Sequence, residues 1–183
     1  MGTRHVLLVR HGQYDVDSGG SLTELGREQA AVTGKWIAQN LGALRVSAIY
    51  SSTLPRAKET ADIIAPNVTR RAVKRAALLR EGMYSKVKGY DVPASEREED
   101  RARADLAWAR FFKTTRADRF EILVCHGNLI RYLVCHALEV PGARWTRMNS
   151  NHCALTRVLV RDTGAVRVVS YNETAHLPSR LIT

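Results

Sequence analysis

Short apolar runs alternate with helical stretches along this chain, and the first runs each stop at a cluster of polar and charged residues. Residues 5–9 read as a buried strand, because an unbroken Val/Leu run of that length suits a strand covered on both faces. Thr23 can cap a helix running to about Leu41, with Glu24 and Glu28 near its positive end and Gly42 as its stop. Residues 46–50 read as a second strand. Pro55 sits in the first turn of the next helix, which is expected to end before Pro66. Residues 73–79 are a third candidate strand, and 81–95, with Gly82, Gly89 and Pro93, a loop. A charged, Ala-rich helix over 96–113, a fourth strand over 120–125 and a helix over 128–138 follow. A final strand pair covers 154–161 and 166–171. This alternation predicts an α/β fold, a three-layer open and largely parallel sheet with helices on both faces. In such sheets ligands bind beyond the carboxyl ends of the strands.

The 183 residues suit one domain spanning 1–183 that needs no disulfide or metal to hold its core. Cys125, Cys135 and Cys153 form neither an even set nor a C-x-x-C pair, which predicts a reducing, cytoplasmic setting. No apolar run approaches the ~20 residues of a membrane span, and the first strand begins too early to leave room for a signal or transit peptide. Twenty-eight basic against 18 acidic residues give a formal charge of +10, so anions are the expected partners. Nucleic acid is the less supported anion: no recognition motif is present, and with 7% aromatics stacking platforms are sparse. No residue pattern specifies an oligomeric state.

The strand ends carry the chemistry. Arg10-His11-Gly12 follows the first strand, Ser51 to Arg56 the second, Arg80-Glu81-Gly82 the third and His126-Gly127-Asn128 the fourth. Together they bring two imidazoles, arginines and a carboxylate to one rim, a set suited to phosphoryl transfer. A neutral imidazole can attack phosphorus, and Arg forks match phosphate oxygens. The N–H groups of the helix opened by Gly127 add to an anion site, and a protonated carboxyl can donate to a leaving oxygen. There is no Gly-x-x-x-x-Gly-Lys-Ser/Thr loop and no His-Glu-x-x-His, so neither nucleotide cofactor nor metal is expected. Blander readings stand beside these: His11 and His126 as core histidines, Arg56 as a solvated helix residue, Glu81 as a surface partner of Arg80. His5, His136 and His152 read as structural, and Cys125 as a packed thiol. Basic residues between 67 and 90 (among them Arg70, Arg71, Arg75, Lys86 and Lys88) form either a solvated face or a collar that steers anions.

Arg10-His11-Gly12, the stretch from Leu22 to Ala30, the stretch from Ser51 to Ala61 with Arg56, and Cys125-His126-Gly127 resemble the signature of the histidine phosphatase superfamily, in its phosphoglycerate-mutase-like branch. The likeness runs from about residue 5 to residue 151. Within the branch, His11-Gly12-Gln13-Tyr14, Leu78 to Gly82 and Ile130 to Cys135 are similar to its Ser/Thr protein phosphatases. The resemblance implies a phosphoglycerate-mutase-like fold and a metal-independent phosphatase that hydrolyses phosphate monoesters through a phosphohistidine. It assigns His11 as nucleophile, Arg10, Arg56 and His126 as holders of the phosphoryl group, and Glu81 as proton donor. Gly12 and Gly127 fall inside the binding motifs. Asn151 matches an Asn that supports the pocket, or is an ordinary turn residue. Asp17 stands where many members have Asn and is left out of the site.

The implied partner is a phosphorylated substrate, either a phosphoprotein or a small phosphate ester. A short segment after Glu81, without the inserted stretch of the mutases, disfavours phosphoglycerate mutase. A non-enzymatic phosphoprotein-binding module is disfavoured by the intact His11, Arg56 and His126.

Overall fold

A computed structural model describes residues 2–42 and 44–183. The strands are β1 (Arg4–Arg10), β2 (Val46–Ser51), β3 (Lys74–Arg75), β4 (Arg119–Cys125), β5 (Leu155–Val160) and β6 (Val166–Glu173). The helices are α1 (Glu24–Leu41), α2 (Pro55–Val68), α3 (Ala94–Phe111) and α4 (Gly127–Ala137). The strands form one sheet in the order β3-β2-β4-β1-β5-β6. It is parallel from β3 to β1, and β5 and β6 add antiparallel pairings at the other side.

The central strands are buried on both faces, as their unbroken apolar runs require. Alternate residues feed two cores. Val6, Leu8, Leu123 and Cys125 pack with Ala104, Ala107 and Phe111 of α3 and Leu129, Ile130 and Leu133 of α4. Leu7, Val9, Ile122 and Val124 pack with Ile37 and Leu41 of α1 and Ala57, Ala61 and Ile64 of α2. A third cluster of Ala30, Cys153, Leu177 and Leu181 lays the chain's tail against α1. None of the described helices is long and apolar enough to cross a membrane.

Register fixes the rim. Arg10 lies beside Cys125, and Ser51 beside Val124. The ladder runs one step past the strands, with His11 N–H donating to the Cys125 carbonyl (3.0 Å) and Ser52 N–H to that of Val124 (2.9 Å). His11, Ser52 and His126 therefore leave the sheet side by side.

Two local expectations are corrected. The strand over 73–79 shrinks to Lys74–Arg75, followed by a 3-10 turn over Ala77–Leu79. Both residues of β3 are exposed at the sheet edge, so only Tyr50 and Ser51 of β2 offer them pairing. Helix α2 continues through Pro66 to Val68. Proline forfeits one helical bond there, while Asn67 Nδ2 donates to the Ile63 carbonyl (3.1 Å) and Thr69 N–H to that of Ala65 (3.0 Å), so the last turn still closes.

Arg4 and Glu121 form an ion pair that the apolar pattern does not announce. Both are almost wholly buried, 3.5 Å apart, and Arg4 Nη1 also donates to the carbonyls of Arg110 (3.1 Å) and Phe111 (3.0 Å) at the end of α3. Arg119 Nη1 also reaches Glu121 Oε1 (3.2 Å), so Glu121 keeps a cation when Arg4 is removed, whereas removing Glu121 leaves the buried Arg4 without a carboxylate. Glu121→Leu is expected to cost about 3 kcal/mol or more in urea unfolding, and the pair Glu121→Leu with Arg4→Met to recover more than half of that. Additive losses would show that the two charges do not interact.

Candidate active site

His11 follows β1 and is 1% exposed. Its Nδ1 lies 2.8 Å from the Gly12 carbonyl oxygen, which can only accept, so the ring proton sits on Nδ1. That leaves the Nε2 lone pair free, and it receives a hydrogen bond from Arg56 Nε at 3.1 Å. Burial, with His126, Arg10 and Arg56 adding to it, holds the His11 pKa well below the ordinary histidine value. The imidazole is thus neutral and oriented, the form a nucleophile needs.

The loop that carries His11 is braced by the start of α1. A Cβ on Gly12 would fall 2.5 Å from the Gly26 carbonyl oxygen, and one on Gly26 2.0 Å from that of Gln13, so the two backbones meet where no side chain fits. Thr23 caps α1 by accepting from Gly26 N–H (3.0 Å), and its own N–H donates to the Gln13 carbonyl (3.0 Å). Gly12 N–H donates to Thr60 Oγ1 (3.0 Å), and Gln13 N–H to the buried Gln29 Oε1 (2.8 Å).

His126 is the residue before α4 and fully buried, its ring 5.0 Å from that of His11. Its Nε2 pairs with Ser52 Oγ (2.8 Å), and its Nδ1 has no partner. Burial, then the nearby Arg56 and Arg10, push its pKa down to about 2. Arg10 reaches over the start of α4 to the Ser150 carbonyl, and a Cβ on Gly127 would approach Arg10 Nε to 3.3 Å. Arg56 also lies over the Tyr14 ring, 4.4 Å from its centre.

Glu81 follows the 3-10 turn that replaces the third strand. Burial raises its carboxyl pKa to about 7, against the lowering pull of Arg56 and Arg10 and of hydrogen bonds from the Leu129 and Gly82 backbones. Its Oε1 is buried without a partner. A carboxyl half-protonated near neutrality can both give and take a proton. The pairing of Glu81 with Arg80 alone is not what the geometry offers.

Asn151 is placed differently from these groups. Its side-chain oxygen accepts from Asn172 Nδ2 (2.7 Å) and its N–H donates to Asn172 Oδ1 (2.7 Å), so it braces the loop between Ser150 and His152. Asp17 is exposed, its N–H donating to Asp15 Oδ1. The basic cluster divides: Arg70 and Arg71 line a groove with Arg45 and Val46 at the opposite end of β2, and Arg75 is tied to Asp62 and Ser51. Arg80, Lys86 and Lys88 remain exposed, Arg80 lining one groove with Glu81.

Sequence reasoning missed Ser52, Tyr14 and His152. The Tyr14 ring meets His11 edge-on at 5.1 Å, and the His152 ring stands 5.6 Å from it. Ser52 was visible as a residue one step past a strand end. His152 carried no such signal, because its position depends on the antiparallel β5. His136 stacks on Trp108 at 4.2 Å, and His176 pairs with Thr33, both away from this cluster. Among the described residues no group of His, Cys, Asp or Glu is arranged to hold a metal ion.

The model of the histidine phosphatase superfamily (branch 1) matches residues 6–117 and again 94–174. The mitochondrial serine/threonine-protein phosphatase PGAM5 of Homo sapiens is 37% identical over 193 residues, covering 99% of this chain and 66% of that protein. The crystal structure of a phosphoglycerate mutase from Plasmodium falciparum superposes with a TM-score of 0.72 at 30% identity, covering 98% of this chain and 96% of that one. A phosphoserine phosphatase from Entamoeba histolytica, solved with 3-phosphoglyceric acid, shares the fold (TM-score 0.75, 19% identity, 96% and 100% coverage). The chain thus spans 66% of the human relative's length.

The expectation of a cytoplasmic setting is corrected, since relatives at this identity are named mitochondrial. The inference from cysteines was unsound for a physical reason: all three thiols are buried, so their unpaired state follows from packing and carries no mark of a compartment.

The imidazoles set an acid limit on stability. His11, His126 and His152 stay neutral in the fold, the last held at about 4 mainly by burial, while each binds a proton near 6.5 once unfolded. The unfolded chain therefore takes up protons that the fold refuses, and stability falls as pH drops below 6.5. Each imidazole should contribute a slope of about 1.4 kcal/mol per pH unit. Denaturant titrations between pH 6.5 and 4.5 check this, and His126→Asn should remove one such contribution.

Proposed function

Because the chain belongs to branch 1 of the histidine phosphatase superfamily, we propose that it is a phosphatase that hydrolyses phosphate monoesters through a phosphohistidine at His11. The observation that carries this reading is the His11 ring itself, with Nδ1 tied to Gly12 and the Nε2 lone pair set under Arg56. Nε2 attacks phosphorus, the P–O bond to the leaving group breaks, and Glu81 gives its proton to the departing oxygen. Arg10, Arg56 and His126 hold the phosphoryl oxygens, aided by N–H groups at the start of α4. Glu81, now a carboxylate, takes a proton from water. The water oxygen attacks phosphorus, the P–N bond breaks, and inorganic phosphate leaves with Glu81 reprotonated.

No metal is assigned a role, because Arg10 and Arg56 beside the imidazoles would repel a cation. The favoured substrate is a Ser/Thr phosphoprotein, on the printed name of the 37%-identical human relative. The exposed Arg80, Lys86 and Lys88 suit an acidic phosphopeptide. A second reading, phosphoglycerate mutase, is supported by the 30%-identical Plasmodium falciparum structure. In that case the phosphohistidine would return its phosphoryl group to a hydroxyl instead of water.

Phosphate release in EDTA from phosphopeptides, sugar phosphates and 3-phosphoglycerate separates these readings. Phosphopeptide turnover supports the first, and conversion of 3-phosphoglycerate to its isomer without phosphate release supports the second. His11→Ala should abolish turnover and the acid-labile phosphoenzyme, and persistent activity would overturn the mechanism.

Glu81 must be protonated to serve a poor leaving group. With its pKa at about 7, kcat on a phosphoserine peptide should fall about tenfold per pH unit above that value. Turnover of an aryl phosphate should respond far less. Glu81→Gln should remove this limb and slow the peptide by roughly 100-fold or more. Equal losses on both substrates would show that Glu81 is not the acid.

A further inference from the structure

Four buried polar atoms of the site lack a protein partner: Arg10 Nε, Glu81 Oε1, His126 Nδ1 and His152 Nε2. Three belong to residues with roles under the phosphatase reading. The fourth belongs to a histidine that neither the motifs nor that reading uses. Buried donors and acceptors are rarely left unpaired, so such an atom beside a ligand site points to the ligand.

The hydrogen bonds around His152 offer its Nδ1 a donor. Gln29 Oε1 accepts from Gln13 N–H, which orients the amide so that its Nε2 must donate. That nitrogen donates to the Leu181 carbonyl (2.8 Å) and to Thr183 Oγ1 (2.9 Å). Thr183 Oγ1 thus receives a proton from Gln29, and it lies 2.9 Å from His152 Nδ1, to which its own hydroxyl proton can be given. The ring is held again by its backbone, His152 N–H donating to the Thr183 carbonyl (2.8 Å), while Cys153 N–H donates to the Arg10 carbonyl (3.0 Å). When Nδ1 accepts from this hydroxyl, the proton of the neutral ring lies on Nε2, the atom without a protein partner. The ring is 5.6 Å from His11 and 6.5 Å from Tyr14, and Arg10 and Arg56 are close enough to act on its charge.

We propose that His152 is a further phosphoryl-binding residue, donating from Nε2–H to an oxygen of the group on His11, and that Thr183 is a positioning residue that holds it in this tautomer. The inference rests on the phosphatase reading and deepens it. A neutral donor suits this place, because it adds a hydrogen bond without another buried charge beside two arginines. The chain Gln13–Gln29–Thr183–His152 also ties this donor to the loop that carries the nucleophile.

The test is inhibition by orthovanadate, with phosphoenzyme formation measured in parallel. His152→Phe keeps the ring volume but removes the donor, and should weaken orthovanadate about tenfold, the size of one hydrogen bond to a charged group. His152→Gln, which restores an N–H near the same place, should recover most of that loss. Thr183→Val leaves the imidazole in place but takes away the proton given to Nδ1. It should weaken orthovanadate in the same direction, and Thr183→Ser should not. Circular dichroism confirms folding, and Thr183→Val carries the test should His152→Phe fail to fold. Unchanged orthovanadate inhibition in folded His152→Phe and in Thr183→Val overturns the inference. A wild-type protein that neither forms the phosphoenzyme nor binds orthovanadate overturns the phosphatase reading instead.

Discussion

The site depends on a backbone constraint before any side chain matters. β1, β4 and β2 run parallel with their carboxyl ends in step, and the ladder continues through His11 N–H and Ser52 N–H. Two imidazoles are therefore delivered next to one another by peptide hydrogen bonds, which are common to any sequence in this register. What the sequence adds is the choice of residue at each strand end and the glycines that let α1 close on the loop that carries His11. A one-residue slip of β4 against β1 would turn His126 away from His11 and exchange the two cores at once.

Within that frame the electrostatics are consistent. Two arginines are kept beside three imidazoles, and the cluster is tolerable because burial keeps the rings uncharged. The same burial lifts the Glu81 carboxyl to about 7, so one physical cause keeps the imidazoles unprotonated and leaves the carboxyl half-protonated near neutrality. The unpartnered nitrogens and oxygens around them cost stability in the free protein, and under the proposed function an incoming phosphate would satisfy them.

Much of this was legible in the sequence because the informative residues lie next to strands. Arg10, His11, His126 and Arg56 each sit within a few residues of an apolar run, so order along the chain was enough to gather them at one rim. Glu81 was placed by its motif, although the strand expected before it is only two residues long and exposed. The rest was hidden by long-range pairing. Arg4 and Glu121 are buried together across two strands, and nothing in either local stretch marks the partner. His152 reaches the site through a tail 31 residues further on, a contact that has no periodicity to betray it. Pro66 misled because its rule concerns helix interiors, and here it falls in a last turn that other groups close.

The junction at Gln29 links two segments that a topology diagram would keep apart. Its side chain holds the loop after β1 through one atom and the chain's final turn through another, inside a cluster closed by Leu177 and Leu181. Those final residues bury Leu177 and Leu181 in a cluster of their own, apart from the two cores on the faces of the sheet. Without them Gln29 would keep its bond to Gln13 and lose those to Leu181 and Thr183. The last turn of the chain and the loop after β1 thus share one side chain, so a change at either end is felt at the other through a single amide.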